Sequence, residues 1–276
     1  MILDLSQDNS LLREAARTSL ENTTSPMFMI KNFGFEDLLK SVVQRVSIEQ
    51  SDFNSYLHTQ TNAGRSHFDL QTEETQDDPL YDEFRTEMKS LATRIATILF
   101  GTAMTESINL DGPLSIKSYS GTVNTSTSTG NHTPNQKESE ITPNNQPNPT
   151  TTCTTRLGAH VDGNMFTLLW SNTSGLQVLN PDKEVSAEDL MYYGCPLVGV
   201  GPSLIVKDED FVDVVADWSS ENVMLVTIGR SWFSPSNPLT KDSDLNVKCP
   251  VLHRVAFQDQ EKTRYSIPFL VNVQDV

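Results

Sequence analysis

The chain has 276 residues and a formal net charge of −16, from 20 basic and 36 acidic residues. Hydrophobic residues make up 37% and charged residues 20%, which is typical of one folded domain and excludes a wholly disordered chain. The acidic balance repels phosphate and anionic lipid, and no basic patch is apparent. We therefore expect neither a nucleic-acid partner nor a membrane partner.

Cysteine usage and the first residues bear on the compartment. Cys153, Cys195 and Cys249 form no close pair and no zinc-type spacing, which argues against a disulfide framework. No stretch reads as a signal peptide or a membrane span. We therefore expect a cytoplasmic protein with reduced thiols. The sequence contains no periodic apolar seam from which an oligomeric state could be predicted.

The N-terminal region, residues 1–112, is predicted to be helical with one short strand. Apolar residues recur at helical spacing in the stretches 10–20, 35–46 and 84–99, and Gly101 is predicted to end the third helix. Between the first two helices, residues 26–31 read as a strand. The apolar stripes of these helices are predicted to pack against a core.

From residue 113 to 276 the helical period gives way to short alternating strands. We predict strands at 114–119, 166–170, 176–179, 203–206, 223–228, 251–257 and 264–273. Many short strands separated by turn residues predict a sandwich or barrel. A run at 121–155, rich in Ser, Thr, Asn, Pro and Gln, is predicted to be a disordered loop inserted in this core.

Three residues of metal-binding type stand in strand contexts. His160 and Asp162 are two apart, so on a strand both side chains project from one face and can meet at one metal ion. His253 lies in another, otherwise apolar strand. Two imidazoles and one carboxylate leave further metal positions open, which is the arrangement expected of non-haem iron(II) oxygenases.

Arg264 and Ser266 repeat the same two-residue spacing near the C-terminus. A guanidinium beside a hydroxyl can bind a carboxylate by charge-assisted hydrogen bonds, which suits the far end of a dicarboxylic acid. Upstream, the Tyr119 hydroxyl is predicted to contact the metal-bound end of the same molecule, if its strand lines the same cavity.

Each of these residues also has a plainer interpretation. A second His-x-Asp pair, His67-Phe-Asp69, is predicted to lie between helices without an ordered partner histidine, so the motif alone is a weak indicator. A histidine in an apolar strand is usually a core residue, Arg264 could form a structural ion pair, and a buried tyrosine often bonds only to backbone. The metal prediction therefore depends on the ordered set and not on any one member.

The ordered set resembles a known superfamily. His160-x-Asp162, Thr167-Leu-Leu, Gly175-Leu-Gln-Val178, His253-Arg-Val255 and Arg264-Tyr-Ser-Ile-Pro-Phe269 are similar to the 2-oxoglutarate- and iron(II)-dependent dioxygenases of the plant and fungal, isopenicillin N synthase-like type. The resemblance implies a mainly β fold with a helical N-terminal region and a double-stranded β-helix, or jelly-roll, core. It also implies Fe(II), 2-oxoglutarate and O2 as cofactors and co-substrates, with ascorbate as a stimulant.

The implied reaction is hydroxylation, desaturation or oxidative cyclisation of a small molecule, either amino-acid-like or a secondary metabolite. Two alternatives stay open: an iron oxidase of the same fold that does not use 2-oxoglutarate, and a catalytically inactive jelly-roll binding module. After the late Ile-Gly, where the family usually has an acidic residue, the chain has Arg230, followed by Trp232. We predict that Arg230 meets a substrate carboxylate, with Trp232 beside it.

Overall fold

The period-2 segments form two sheets, and the helical segments form one layer. The computed structural model describes residues 1–21, 23–49, 65–69, 78–105, 108–119, 155–193, 204–216, 218, 222–241, 243–256 and 263–274. Its helices are α1 (Asn9–Leu20), α2 (Glu36–Glu49), α3 (Pro79–Phe100), α4 (Thr102–Thr105) and α5 (Ala187–Tyr192). Its strands are β1 (Ile2–Asp4), β2 (Met27–Lys31), β3 (Arg65–Asp69), β4 (Asn109–Asp111), β5 (Ser115–Tyr119), β6 (Thr155–Val161), β7 (Phe166–Ser171), β8 (Leu176–Leu179), β9 (Phe211–Asp213), β10 (Met224–Ile228), β11 (Leu252–Ala256) and β12 (Arg264–Gln274).

The larger sheet has the strand order β1-β2-β10-β7-β12-β5-β3, and β4 pairs with β12 beside this path. The smaller sheet has the order β6-β11-β8-β9. Strands β1 and β2 are parallel, and the other named pairs are antiparallel. Because β1, β2 and β3 belong to the larger sheet, the N-terminal region supplies strands to the core as well as helices.

Alternation along the strands of the larger sheet separates two apolar layers. Leu168 of β7 and Ile267 of β12 pack in a cluster that contains the buried faces of α1, α2 and α3. Leu169 projects to the other side, into a cluster with Val178 and Val255 of the smaller sheet. One face of the larger sheet is therefore covered by helices and the other by the second sheet, as the predicted jelly roll requires.

Local signals explain where the longest helix begins and ends. The carboxylate of Asp78 accepts a hydrogen bond from the backbone N–H of Leu80, and Pro79 occupies the first turn. Gly101 closes α3 with φ of +87°, a left-handed value that glycine adopts without strain. The predicted end of the third helix is confirmed. Among the described residues, no helix combines the length and apolar character needed to cross a lipid bilayer.

Some elements differ from their predictions. The strand predicted at 203–206 is wrong for residues 204–206, which are irregular, and the edge strand β9 follows at Phe211–Asp213. His67-Phe-Asp69 lies between helices α2 and α3, as predicted, but it forms β3 at the edge of the larger sheet, and the sequence had not predicted a strand there. The predicted disordered insertion at 121–155 lies outside the described residues up to position 154, and Thr155 begins β6.

Replacing Phe84 with alanine tests whether the helix layer belongs to the core. Phe84 is fully buried on α3, with its ring centroid 6.0 Å from that of Phe35. We expect Phe84→Ala to lower the free energy of unfolding by about 3 to 5 kcal/mol, measured by urea denaturation, because it leaves a cavity. Leu11→Ala on the exposed face of α1 is the control and should change it by less than about 0.5 kcal/mol. A loss at Phe84 as small as that of the control would contradict this packing.

Candidate metal centre and cleft

Two histidines face each other across neighbouring strands of the smaller sheet. His160 on β6 pairs directly with His253 on β11, and their ring centroids are 4.3 Å apart. The Nδ1 atom of His160 lies 2.9 Å from the carbonyl oxygen of Gly158, and that of His253 lies 3.3 Å from the carbonyl oxygen of Val251. A carbonyl only accepts, so in the neutral form of each ring Nδ1 carries the hydrogen and Nε2 has the lone pair that a metal would use.

Asp162 completes the cluster at the end of β6. Its Oδ1 atom is 3.6 Å from Nε2 of His160 and 3.9 Å from Nε2 of His253. The ligand atoms of the three residues all lie within 4.8 Å of one another, and this is the group of metal-ligating side chains found in the described part of the chain. Ligands at about 2.1 Å from one ion stand roughly 3 Å apart, so small side-chain rotations would bring these atoms onto an ion.

Burial and mutual charge set the protonation states that a metal needs. Burial, followed by the positive charge that His253 can carry, lowers the pKa of His160 from 6.5 to about 4. Burial alone would raise the pKa of Asp162, but His253, His160 and the Thr167 hydroxyl hold that pKa below its usual range. At neutral pH, His160 is therefore a neutral imidazole and Asp162 a carboxylate, and both forms bind metals.

A chain of two hydrogen bonds, which runs through β7 of the larger sheet, orients the Asp162 carboxylate. The side-chain amide of Asn164 donates to Oγ1 of Thr167 over 3.0 Å, and that hydroxyl donates to Oδ2 of Asp162 over 2.7 Å. Oδ2 is thereby occupied by a donor while Oδ1 faces the histidines. Groups that orient a metal ligand in this way strengthen metal binding.

Backbone contacts fix the turn that carries Asp162. The backbone N–H of Arg230 donates to the carbonyl of Asp162 over 2.9 Å, and that of Ser231 donates to the carbonyl of Asn164 over 3.1 Å. A Cβ atom at Gly229 would lie only 2.2 Å from the Asn164 carbonyl oxygen, so the absence of a side chain permits this approach. The segment after β10 therefore holds the ligand turn in place.

A cleft between the two sheets joins this cluster to the predicted co-substrate residues. It encloses about 480 Å³, part of it open to solvent. Its lining comprises Lys117, Tyr119, Leu157, His160, Asp162, Thr167, Leu169, Leu176, Thr227, His253, Val255, Arg264, Ser266, Pro268 and Leu270. The metal cluster is on one wall of the cleft, and Arg264, Ser266 and Tyr119 are on the other.

Arg264 is buried where β12 begins. Its side chain is 3% exposed, its Nε atom donates to the carbonyl of Ser174 over 3.2 Å, and its guanidinium carbon lies 5.4 Å from the ring centroid of Tyr119. Gly175 has φ of +116°, and a Cβ atom there would meet the Arg264 side chain at 3.6 Å. The arginine would be in ordinary contact with such a Cβ atom, so glycine is favoured here by its positive φ and by the Ala256 carbonyl oxygen, which would lie 3.3 Å from the Cβ.

Arg230 and Trp232, predicted to bind substrate, do not line the cleft. The Arg230 guanidinium donates through Nε to the carbonyl of Met191 over 2.6 Å and through Nη2 to the carbonyl of Tyr193 over 3.0 Å. Trp232 is 4% exposed in the helix-facing core, with its ring 5.1 Å from that of Phe100. These contacts give both side chains structural partners, and the geometry offers no support for a role in substrate binding.

Thr167 and Lys117 are cleft residues to which the sequence reasoning gave no role. A signal existed for each: Thr167 is at an inward position of the strand after the ligand turn, and Lys117 shares a strand face with Tyr119. The partner of each side chain could not be predicted from the sequence, because it depends on which strands become neighbours in the sheet.

Several solved structures have a fold similar to that of this chain. AtDAO1, a dioxygenase for auxin oxidation from Arabidopsis thaliana in complex with 2-oxoglutarate, is 16% identical, with a TM-score of 0.58 and coverage of 100% of this chain and 93% of that one. A full-length Neurospora crassa protein in complex with alpha-KG and 5-formyluracil is 15% identical, with a TM-score of 0.58 and coverage of 99% and 84%. JOX2 in complex with 2OG, Fe and JA is 15% identical, with a TM-score of 0.57 and coverage of 99% and 75%.

No family model matches the sequence, and no curated protein matches it either. At identities of 14 to 16%, the similarity is one of fold. It confirms the predicted architecture: the chain has the jelly-roll fold of 2-oxoglutarate- and iron-dependent dioxygenases, and it carries a His-Asp-His cluster within that fold.

Replacing Thr167 with valine tests the orientation of the ligand carboxylate. Valine keeps the shape of threonine but removes the hydroxyl that donates to Asp162, so we expect metal affinity to fall by roughly 10- to 100-fold. Anaerobic titration with Fe(II) measures this change. Thr227→Val is the matched control, because Thr227 is the cross-strand partner of Thr167 on β10. Equal affinities for the two variants would contradict the assigned role.

Proposed function

We propose that the protein is an iron(II)- and 2-oxoglutarate-dependent oxygenase that acts on a small organic molecule. One observation carries the proposal: the three ligand-type side chains open into a cleft whose opposite wall presents a buried arginine and a serine. A facial set of two imidazoles and a carboxylate suits iron(II). A guanidinium with a neighbouring hydroxyl suits the far carboxylate of a dicarboxylic acid.

The residues of the chain divide the work between the two walls. His160, Asp162 and His253 would hold the iron, and Arg264 and Ser266 would hold the carboxylate of 2-oxoglutarate remote from the metal. When bound, iron(II) and 2-oxoglutarate supply the oxidising power for C–H chemistry, with O2 consumed and with succinate and CO2 formed. What the protein itself contributes is the placement of these groups relative to each other and to the substrate.

The remaining cleft residues orient and shield the reacting groups. Thr167 fixes which carboxylate oxygen of Asp162 faces the histidines. Leu157, Leu169, Leu176 and Val255 give the cleft apolar surface, which limits the water that reaches the metal cluster.

The solved structures with the same fold support the proposal. AtDAO1, the Neurospora crassa protein and JOX2 are each described in complex with 2OG or alpha-KG, and JOX2 also with Fe. A further complex of the Neurospora crassa protein contains thymine, a small molecule. We propose hydroxylation, desaturation or oxidative cyclisation as the reaction. The proposed substrate is an amino-acid-like molecule or a secondary metabolite.

Gas and product measurements test the co-substrate. The purified protein supplied with Fe(II), 2-oxoglutarate, air and ascorbate as a reductant should consume O2 and release succinate in equal amounts, even without its substrate, at a slow uncoupled rate. O2 consumption without succinate would favour the same-fold oxidase that does not use 2-oxoglutarate. Iron(II) binding with neither product nor a 2-oxoglutarate-dependent absorption band would favour the inactive binding module.

Removing a metal ligand should abolish both binding and turnover. We expect His160→Ala and Asp162→Ala to lose stoichiometric Fe(II) binding and succinate release while keeping the circular dichroism of the wild type, because both side chains face the cleft. His67→Ala, in the other His-x-Asp pair, is the control and should bind Fe(II) normally. Unchanged iron binding by the His160 and Asp162 variants would remove the basis of the metal assignment.

Removing the arginine should weaken 2-oxoglutarate binding without affecting the metal. Charge-assisted hydrogen bonds contribute about 1.5 to 3 kcal/mol, so Arg264→Ala should raise the Kd for 2-oxoglutarate by roughly 10- to 150-fold. Anaerobic titration of the metal-loaded protein measures this value. Arg13→Met removes a positive charge from the surface of α1, where Arg13 pairs with Asp244, and should leave the Kd unchanged. A wild-type Kd for Arg264→Ala would contradict the role of the arginine.

A further inference from the structure

The cleft contains a second cation besides Arg264. Lys117, on β5, is half-buried and lines the cleft together with Tyr119 and the metal cluster. In the sheet, Lys117 pairs directly with Ser266 of β12, while Tyr119 pairs with Arg264. Directly paired residues project to the same side of the sheet, so the lysine and the serine stand side by side in the cleft.

The register of β12 orders these residues along the cleft. Leu270 pairs with Thr167, the residue that bonds to Asp162, and so marks the metal end of the strand. Ser266 is four residues from Leu270 along the strand, and Arg264 is six. Because inward positions on a strand repeat about every 6.6 Å, the level shared by Ser266 and Lys117 is one step nearer the metal end than the level of Arg264.

Lys117 brings a positive charge into the cleft that contains the metal cluster. It lines this cleft together with His160 and Asp162, so its ammonium group and the two ligands share one partly water-excluded site. The chain as a whole carries a net charge of −16, so the positive charge in the cleft does not follow from a generally basic composition. The cleft therefore presents one cation at its far end and a second between that end and the metal.

Two cations on adjacent strands match the two carboxylates of the proposed co-substrate. With neutral histidines, an iron(II) ion and Asp162 have a combined charge of +1, and 2-oxoglutarate carries −2. The iron(II)–Asp162 pair and Arg264 would therefore each balance one carboxylate. Lys117 adds a further positive charge on the metal side of Arg264, and a charge-assisted hydrogen bond from its ammonium group would strengthen the binding of the carboxylate beside the metal.

We infer that Lys117 binds the carboxylate of 2-oxoglutarate nearest the metal, so that Lys117 and Arg264 hold opposite ends of one dicarboxylic acid. The inference rests on the proposed function and deepens it. Lys117 is thus a binding residue for the 2-oxo acid end, which every 2-oxo acid shares. Arg264 recognises the far carboxylate, which distinguishes 2-oxoglutarate from shorter or uncharged 2-oxo acids.

Comparing two ligands on the Lys117 and Arg264 variants tests this division. 2-Oxopentanoate has the 2-oxo acid end but lacks the far carboxylate. The Kd values of both ligands are measured by anaerobic calorimetry on the Mn(II)-loaded wild type, Lys117→Met and Arg264→Ala. We expect Lys117→Met to weaken both ligands by about tenfold or more, and Arg264→Ala to weaken 2-oxoglutarate alone. Lys117→Arg should recover part of the loss because it restores the charge.

Matched controls separate a local contact from a general effect of charge. Lys183→Met removes a lysine that pairs with Asp210, and it should change neither Kd. Mn(II) affinity and the thermal midpoint are measured for every variant, and Lys117→Gln replaces Lys117→Met if the methionine variant does not fold. If a Lys117 variant binds Mn(II) as tightly as the wild type does, its weaker ligand binding is assigned to the lost contact between Lys117 and the ligand.

Three results would overturn the inference. Unchanged Kd values in the Lys117 variants would show that the ammonium does not contact the ligand. Weaker binding of 2-oxoglutarate but not of 2-oxopentanoate would place the lysine at the far carboxylate. If the metal-loaded wild type bound neither ligand, the proposed function would fail as well, whereas ligand binding that is indifferent to Lys117 would leave that function standing.

Discussion

The site depends on the register between β6 and β11. That register places His160 directly opposite His253, and the turn after β6 brings Asp162 between the strands and the larger sheet. A slip of one residue would turn either imidazole to the other face of the smaller sheet, because side chains alternate along a strand. The metal cluster is therefore a consequence of strand pairing, and the hydrogen bond from Thr167 ties it to the second sheet.

The same alternation builds the rest of the cleft from strands whose other faces are core. Along β12, Arg264 and Ser266 face the cleft, while Tyr265 and Ile267 pack toward the helices. A buried cation is costly unless it has partners, and here the fold supplies an accepting carbonyl at Ser174 and an aromatic face at Tyr119. An acidic protein thus keeps positive charge in the cleft, where an anionic co-substrate would bind.

Much of this arrangement could be predicted from the sequence, because its signals are local. The two-residue spacings and the ligand types predict which side chains share a face, and the structure brings His160, Asp162 and His253 together. Arg230 and Trp232 could not be placed in this way, because loop direction is set by tertiary contacts such as the bonds from Arg230 to the end of α5. The edge strand β9 has only three residues, too few for a clear alternation.

A crystal structure of the protein, from crystals grown anaerobically with Fe(II) and 2-oxoglutarate, tests the metal centre most directly. We expect one metal ion bound by Nε2 of His160, Nε2 of His253 and a carboxylate oxygen of Asp162. We also expect the far carboxylate of 2-oxoglutarate at Arg264 and Ser266. A metal bound elsewhere, or a cleft that holds neither ion nor 2-oxoglutarate at saturating concentrations, would contradict the metal and co-substrate assignments.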